Sequence, residues 1–497
     1  MPLYLSQHRV RYTSLTPPAD KWRPKDLFNL QARIQRNLKD HKMHAVQVGQ
    51  TWNRRCLPVI SLDSDRLIIG AGGDILVHHL VPPSSTSSYS PSTSPQFPPL
   101  RSLPPSPTHQ KKGKRDRTTY APKAVASAHV YPLSNRSDSD IVGLHPLPSG
   151  EVIAAQFDGT LQRLNLSGQL RSTAHYQHPK EHIYALSGYD DHFLALSYGV
   201  GSLYSARSPW LPPIEFEFEE RPWSGLLTSD KAFVGIRGEV AIFNLRPDGV
   251  EYAQSLRADG SSTPGTESDD GVIVIDSLDA LDSALGRTAR RSTPYSIALG
   301  NDPYTVLSAW HDGFARLHDL RTGSCEMELS DPWQDAPLYC ASFLGENSVA
   351  TGGSQHGIVS VFDIRTAKGY SVFTPEGKGS PVYGMVAEGG RVWGVSERRA
   401  FVCAWDESGD ARGGLRAQDD LQEVYEEPNG HYGYGRGRGG GRARGRGRDG
   451  KDIPTAYRRR GGKWGWTVGY GEHAKETCMG YRHEDNGTTL FETKVPV

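Results

Sequence analysis

Residues 308–323 read SAWHDGFARLHDLRTG, and residues 352–367 repeat the pattern as GGSQHGIVSVFDIRTA. Each copy predicts a strand, a tight turn that contains Gly, a second strand that ends in Asp, and a further turn. Asp-Gly and His-Gly between two alternating runs predict β-hairpins, because Gly adopts the positive φ that a two-residue turn requires. The copies lie about 44 residues apart, which is the period of four-stranded propeller blades.

This repeat resembles that of the WD-repeat family. His or an aromatic residue followed by Asp stands where the family has Trp-Asp, at His318-Asp319, Phe362-Asp363 and Trp405-Asp406. The resemblance implies an all-β fold, a single seven-bladed β-propeller with a short N-terminal helix and disordered insertions. The residues predicted to form the repeat turns are Asp158, Gly159, Asp312, Gly313, Asp319, His356, Gly357, Asp363, Trp405 and Asp406. The alternative is another antiparallel β-protein with similar hairpins.

Length and composition fit this fold. The chain has 497 residues, with 56 Lys plus Arg and 56 Asp plus Glu, so no net charge directs it to nucleic acid or to an anionic membrane. The five cysteines form no C-x-x-C motif and no Cys/His cluster with zinc spacing, which predicts buried reduced thiols. Since no signal-peptide core and no membrane-length apolar run is visible, we expect a cytoplasmic or nuclear protein.

One helix is predicted, between about Trp22 and Lys42. Pro24 suits its first turn. The apolar side chains fall on one helical face, at Leu27, Leu30, Ile34 and Leu38. Basic residues cover the other faces, so the helix is amphipathic. We expect it to pack against its own domain, and binding to a partner or a membrane is the alternative.

The strand pattern runs from residue 44 to residue 406 and divides into seven units, which predicts one propeller domain. The fourth unit is expected to end with Val272–Ile275. The seventh unit, Val382–Trp405, lacks a fourth strand, and a closed ring requires one because an open sheet edge is costly. Two segments are candidates to supply it, His44–Gln50 and Thr488–Thr493. Residues 1–43 precede this domain, and residues 451–497 are expected to dock on it or to close it.

Two segments are predicted to be disordered. Residues 82–123 form a Pro/Ser-rich insertion, whose Ser-Pro pairs are candidate phosphorylation sites and whose Lys111–Arg115 patch is a candidate nuclear-localisation signal. A solvated stretch is the alternative for both. Residues 407–450 are acidic first and then form an RGG-type tract. The candidate sites for weak RNA binding or arginine methylation are Arg436, Arg438, Arg442, Arg444, Arg446 and Arg448, with a flexible linker as the alternative.

No catalytic, phosphate-binding or metal-binding motif is recognisable in the sequence. His311-Asp312 and His318-Asp319 have residue types that act as general bases elsewhere. We interpret them as turn and strand-end residues, because they occupy equivalent places in the repeat. The sequence therefore predicts no enzyme, no cofactor and no metal.

A second resemblance lies near the N-terminus. Residues 30–38, LQARIQRNL, are similar to the linker helix that follows the F-box in F-box/WD-repeat proteins, and residues 57–69 resemble their opening hairpin. The layout is similar to that of the protein 4-like group. In that family the F-box binds the adaptor of a cullin–RING ubiquitin ligase, and the loop face of the propeller captures the substrate. The resemblance implies a non-enzymatic scaffold, the substrate-recognition subunit of an SCF-type ligase.

The F-box itself is not visible, and the roughly twenty residues before Trp22 are too few for its three helices. We expect either that the coding sequence extends further upstream or that the module has been lost. The alternative function is a WD-repeat scaffold in RNA metabolism or ribosome assembly that uses the RGG-type tract. The expected partners are thus proteins, including the ligase adaptor and a substrate, with weak RNA binding and no membrane.

Overall fold

The strands of the repeat fold into blades, each an antiparallel sheet whose strands follow one another in sequence. The computed structural model describes residues 24–41, 43–49, 51–52, 56–63, 66–81, 124–133, 139–167, 170–247, 249–258, 292–300, 302–332, 334, 336–374, 380–405, 455–458, 464–467, 477–483 and 490–494. The first elements are helix α1 (Pro24–Lys39) and strand β1 (His44–Val48).

The first four blades contain four strands each, ordered from the innermost strand outward. Blade 1 consists of β2 (Val59–Leu62), β3 (Arg66–Ala71), β4 (Asp74–Val81) and β5 (Ala124–Pro132). Blade 2 consists of β6 (Ile141–Pro146), β7 (Val152–Gln156), β8 (Leu161–Asn165) and β9 (Arg171–His175). Blade 3 consists of β10 (Ala185–Tyr189), β11 (His192–Ser197), β12 (Val200–Ser205) and β13 (Ile214–Glu217). Blade 4 consists of β14 (Ser224–Leu227), β15 (Lys231–Ile236), β16 (Glu239–Arg246) and β17 (Gly249–Arg257).

The remaining strands form three blades and a C-terminal region. Blade 5 consists of β18 (Pro294–Leu299), β19 (Thr305–Trp310), β20 (Ala315–Asp319) and β21 (Cys325–Leu329). Blade 6 begins with β22 (Leu338–Phe343), β23 (Ser348–Gly353), β24 (Ile358–Asp363) and β25 (Lys368–Phe373). Blade 7 contains β26 (Val382–Glu388), β27 (Arg391–Ser396) and β28 (Ala400–Ala404). The last strands are β29 (Thr455–Arg458), β30 (Trp464–Thr467), β31 (Thr477–Arg482) and β32 (Leu490–Lys494).

The blades form a closed ring. The innermost strand of each blade contacts the innermost strands of both neighbours, and β26 of blade 7 returns to β2 of blade 1. A separate apolar layer fills each of the seven gaps between blades, and strands such as β3, β7 and β27 are buried along their whole length. The predicted all-β fold, a seven-bladed propeller with one short helix, is confirmed.

The N-terminal strand completes the last blade. β1 pairs antiparallel with β28, with His44 opposite Ala404 and Val48 opposite Ala400. Of the two candidate closing segments, it is therefore His44–Gln50 that contains the fourth strand of blade 7. The other candidate, Thr488–Thr493, overlaps β32, which belongs to the sheet of blade 6.

Helix α1 packs where blades 6 and 7 meet. It begins at Pro24, and Ile34 and Leu38 on its apolar face are buried in the layer between these two blades. The chain makes room for this contact at Gly390, where an added Cβ would lie 2.7 Å from Ile34 Cδ1. The side chains of Leu27 and Leu30 lie outside the described part of the structure. The helix thus packs on its own domain, as the amphipathic pattern predicted.

The seventh repeat is shifted by two residues from the predicted alignment, because Cys403-Ala404 stands where Trp405-Asp406 was expected. Asp319 and Asp363 end their strands opposite Thr305 and Ser348, but the residue in the equivalent place of blade 7, opposite Arg391, is Ala404. Trp405 comes one position later and has a different role. Its indole is fully buried and donates to the Tyr370 hydroxyl (2.8 Å), while its carbonyl accepts from the Asn37 side chain (2.7 Å). Trp405 therefore anchors α1, and Asp406 lies outside the described residues.

Several predicted segments lie outside the described residues. They are the insertion 82–123 with its Ser-Pro pairs and Lys111–Arg115, the acidic and RGG-type stretch 407–450 with its six candidate arginines, and residues 272–275. The expectation that Val272–Ile275 ends the fourth unit is wrong, because β17 (Gly249–Arg257) pairs with β16 as the outer strand of that blade.

Candidate functional site

The turns between the second and third strands use Asp and Gly as the repeat predicted. In blade 5 the Asp312 carboxylate accepts the N–H of Phe314 (3.2 Å), and in blade 2 Asp158 accepts that of Thr160 (3.0 Å). The following Gly313 and Gly159 have φ of +89° and +86°. In blade 6, His356 and Gly357 both have positive φ, +66° and +58°, as a two-residue hairpin turn requires.

A serine before each of three inner strands fixes these turns, and no sequence motif marks it. The hydroxyl oxygens of Ser139, Ser292 and Ser380 accept the N–H of Asp158, Asp312 and Glu397, at 3.2, 3.0 and 2.9 Å. Each serine lies two residues before the first strand of its blade. The bond joins the link between blades to the turn, so both lie on one face of the propeller, which we call the turn face.

The Asp residues at the ends of the third strands make a different turn. Asp319 and Asp363 each accept the N–H of the residue two positions later, Arg321 and Arg365, at 2.9 Å. The same guanidinium groups also bind these carboxylates, and their hydrogen bonds hold the pKa of Asp319 at about 2 and lower that of Asp363. These residues shape the fold and point into their own turns.

The His-Asp pairs do not form a reactive group. His318 is buried beside Arg316, and burial together with that cation lowers its pKa to about 3, so the imidazole is neutral at physiological pH. Arg316 in turn binds Asp312 (2.9 Å) and Glu328 (2.7 Å). Asp312 is thus engaged by its own turn and by Arg316. Across the described ranges no group of three or more His, Cys, Asp or Glu is arranged to hold a metal ion.

The turn face carries a row of aromatic side chains at equivalent positions. In blades 5, 6 and 7 the aromatic residue is the second residue of the innermost strand. In blades 3 and 4 it immediately precedes the innermost strand. In blades 5 to 7 the strand register shifts at this residue, and such a bulge re-aims a side chain. Together with Phe157 of blade 2 these residues form the aromatic arc, which consists of Phe157, Tyr184, Trp223, Tyr295, Tyr339 and Tyr383.

The rings of the arc contact one another from blade 4 to blade 7 and from blade 2 to blade 3. The ring centroids of Trp223 and Tyr295 are 5.3 Å apart, as are those of Tyr295 and Tyr339, and Tyr339 stacks on Tyr383 at 5.6 Å. Phe157 lies 5.8 Å from Tyr184. Phe157 is 40% exposed and the other members are half-buried, so the arc offers ring faces to a partner while neighbouring strands hold each ring in place.

Arg221 bridges the gap in the arc between blades 3 and 4. Its guanidinium lies 4.5 Å from the Tyr184 ring and 4.3 Å from the Trp223 ring. Arg221 is exposed, and within the described residues no carboxylate forms an ion pair with it. Stacking on two rings leaves the N–H edge of the guanidinium available for an acceptor. Burial raises the pKa of Tyr295, so its hydroxyl stays a hydrogen-bond donor at neutral pH.

The sequence contains a faint signal for the arc. In each of blades 3 to 7 an aromatic residue is followed by a small one as the inner strand begins, at Tyr184-Ala185, Trp223-Ser224, Tyr295-Ser296, Tyr339-Cys340 and Tyr383-Gly384. The chain contains 22 Tyr and 10 Trp, so such pairs stand out only once the blades are aligned.

Among the residues that the structure describes, no helix is long and apolar enough to cross a membrane.

Comparison with known proteins gives a partial match. The chain is 39% identical over 85 residues to F-box/WD repeat-containing protein 4 of Homo sapiens and 38% identical over 85 residues to the protein of that name from Mus musculus. Each match covers 16% of this chain and 20% of the relative, so the chain spans a fifth of the length of the curated relatives it matches. No family model matches the sequence. The chain is a WD-repeat-type seven-bladed β-propeller that resembles F-box/WD repeat-containing protein 4.

Proposed function

We propose that this protein is a non-enzymatic interaction scaffold that binds a protein partner through the aromatic arc. The observation that carries the proposal is the arc itself, a preformed row of half-exposed rings along the turn face of blades 2 to 7. Tyr and Trp dominate the energetics of protein interfaces, because they supply a large contact area and lose little conformational entropy on binding. A ring held by neighbouring strands has lost most of that entropy before the partner arrives.

Arg221 gives the arc a polar contact in the middle of its apolar surface. A planar guanidinium held over two aromatic rings is restricted in its motion, and its N–H groups can form a two-pronged hydrogen bond to a carboxylate. A partner segment with apolar side chains and an acidic residue between them would therefore match the surface. In this arrangement the rings supply the contact area and Arg221 selects the register of the bound segment.

The finer proposal is that the scaffold is the substrate-recognition subunit of an SCF-type ubiquitin ligase. The partial identity to F-box/WD repeat-containing protein 4 supports it. So does the position of α1, which anchors the segment before the propeller to blades 6 and 7 through Ile34 and Asn37. A module attached ahead of α1 would be held in a fixed direction relative to the propeller, as substrate presentation to a ligase requires.

The test is affinity capture of the full chain from cell lysate, followed by mass spectrometry. Recovery of the cullin ligase adaptor supports the ligase role, and its absence from repeated captures contradicts that role without affecting the arc. The arc is tested by Tyr339→Ala and Tyr383→Ala, which should lose the captured partners. The matched control is Tyr252→Ala, since Tyr252 is 56% exposed but lies on the outer strand of blade 4. Equal capture by all variants would contradict a binding role for the arc.

A second function, a scaffold for RNA-associated assemblies, has one observation in its favour. Aromatic rings with an interposed arginine also stack on unpaired bases, and the chain carries an RGG-type tract. Ultraviolet crosslinking of the full chain to RNA in cells tests this function. Crosslinking that disappears when residues 435–450 are deleted would favour it, whereas equal crosslinking of that deletion and the intact chain would count against it.

A further inference from the structure

The outer edge of blade 6 carries two additional strands. β31 pairs antiparallel with β25, with Arg482 opposite Tyr370 and Gly480 opposite Val372, and β32 pairs with β31. Elsewhere in the described ring each blade ends at its fourth strand. The C-terminal hairpin, residues 477–494, is thus added to blade 6 by main-chain pairing, which is how peptides bind to exposed sheet edges.

A histidine directly after the paired stretch enters the blade. The N–H of His483 donates to the carbonyl of Gly369 (3.1 Å), which continues the strand pairing by one residue. Its Nε2 lies 2.9 Å from Ser371 Oγ and 3.6 Å from an Asp331 carboxylate oxygen. The His483 side chain is only 7% exposed, so it is an anchor rather than a surface residue.

The pocket around His483 is built to hold an imidazole. The Ser371 hydroxyl donates to buried Asp331 (2.7 Å), so its oxygen accepts from the Ser360 hydroxyl (2.7 Å) and, with its second lone pair, from Nε2–H. The Phe362 ring forms one wall, 5.1 Å from the imidazole. Gly369 provides the space, because an added Cβ would lie 2.5 Å from His483 Nδ1 and 2.6 Å from Phe362. Ser371, the Phe362 wall and the space at Gly369 belong to blade 6, and Asp331 belongs to the link before it.

The pocket adjoins the place where the ring is closed. Tyr370, next to Gly369 on β25, accepts a hydrogen bond from Trp405, and its ring lies 4.4 Å from that of His41 after α1. β31 also lies against β1, the closing strand. The hairpin at the edge of blade 6 therefore lies next to the elements that hold α1 and β1 on the propeller.

We propose that the outer edge of blade 6 is a peptide-binding site that recognises an extended strand followed by a histidine, and that the C-terminal hairpin is its ligand within the same chain. Main-chain pairing to β25 supplies affinity, and the His483 pocket fixes the register. The site is separate from the aromatic arc and independent of the proposed function.

The test uses the full chain with a protease recognition sequence inserted after residue 450. After cleavage of the folded protein, the fragment that starts at residue 451 should remain bound in gel filtration, and an excess of synthetic peptide 477–494 should displace it. His483→Ala should weaken retention by roughly 10-fold, which corresponds to the loss of one buried hydrogen bond between uncharged groups. Gly369→Ala should act in the same way from the receptor side.

His473→Ala is the matched control, since it removes a histidine ten residues earlier in the same fragment. It should be retained like the unaltered fragment. Thermal unfolding of each uncleaved variant distinguishes loss of binding at the site from loss of the fold. If Gly369→Ala destabilises blade 6, His483→Ala still tests the site, because it changes no residue of blade 6. Immediate release of the unaltered fragment, or equal retention of the His483→Ala fragment, would overturn the proposal.

Discussion

Blades 2 and 6 make the same side-chain contact to the backbone after their third strands, but with different residues. In blade 6, Asp363 accepts the N–H of Arg365 (2.9 Å) and also binds its guanidinium (2.6 Å). In blade 2, Asn165 accepts the N–H of Ser167 (2.8 Å), and no arginine is present. The backbone turn is therefore set by one side-chain oxygen at the strand end, and the guanidinium contact is an addition. Repeats that look degenerate in sequence retain the atom that shapes the turn.

The largest effect is expected where a charged contact is buried. Arg316→Ala should lower the free energy of unfolding by about 3–5 kcal/mol, because it leaves Asp312 without its partner in a largely buried turn. The Arg316 side chain is 3% exposed. The matched control is Arg321→Ala in the same blade, whose side chain is 66% exposed and whose loss should have little effect. Urea denaturation measures the free energy of unfolding of both variants. Similar losses would refute the distinction between the buried and the exposed ion pair.

A smaller loss of stability is expected when the backbone hydrogen bond of Asp363 is removed, and a second variant distinguishes this bond from the ion pair with Arg365. Asp363→Ala removes the acceptor for Arg365 N–H and should destabilise the protein by about 1 kcal/mol. Asp363→Asn keeps an acceptor oxygen, as Asn165 does in blade 2, and should cost less than half of that. Thermal unfolding of the two variants is the measurement. Equal losses would mean that the charged contact matters more than the turn bond.

The converse change introduces the Asp–Arg ion pair of blades 5 and 6 into blade 2. Asn165→Asp combined with Ser167→Arg recreates the Asp-x-Arg sequence of blades 5 and 6. Because the new pair would be exposed, we expect a gain of at most about 0.5 kcal/mol. The melting temperature at low ionic strength would detect it. A clear loss of stability would indicate that the turn of blade 2 differs in more than its side chains.

The smallest effect is a pH dependence. The hydrogen bonds from Arg321 depress the pKa of Asp319 from 3.8 to about 2, so the ionised carboxylate favours the folded state. This contribution is complete above the ordinary pKa and disappears as the pH falls through the folded value. The melting temperatures of the unaltered chain and of Asp319→Asn should therefore differ most above pH 4 and converge towards pH 2. A difference that stays constant over this interval would exclude the carboxylate as its source.

The sequence predicted those features that rest on local chemistry. The Asp-Gly and His-Gly turns, the start of α1 at Pro24 and its buried face at Ile34 and Leu38 follow from φ preferences and helical periodicity. Features that depend on pairing between distant residues were missed or left open. Trp405 was aligned two residues out of register because β28 is buried throughout and has no alternation to fix its position.

The aromatic arc and the His483 pocket could not be predicted for a related reason. Each arc member looks like an ordinary residue in or beside a strand until the ring places the inner strands side by side. His483 becomes an anchor only opposite Gly369, more than a hundred positions earlier in the chain. No local pattern specifies such an encounter, because the free energy arises from shape and hydrogen bonding between separated segments.

The position of the closing strand β1 in the chain also determines when the ring can close during synthesis. β1 leaves the ribosome roughly 350 residues ahead of its partner β28, which corresponds to about 20–70 s at ordinary rates of translation. During that interval the nascent chain carries a strand with two unpaired edges and an incomplete ring that cannot yet close. Chaperone capture of β1 on the ribosome, followed by release when blade 7 emerges, would suit this order of events. β1 thus waits for blade 7, the blade of the ring that is made last.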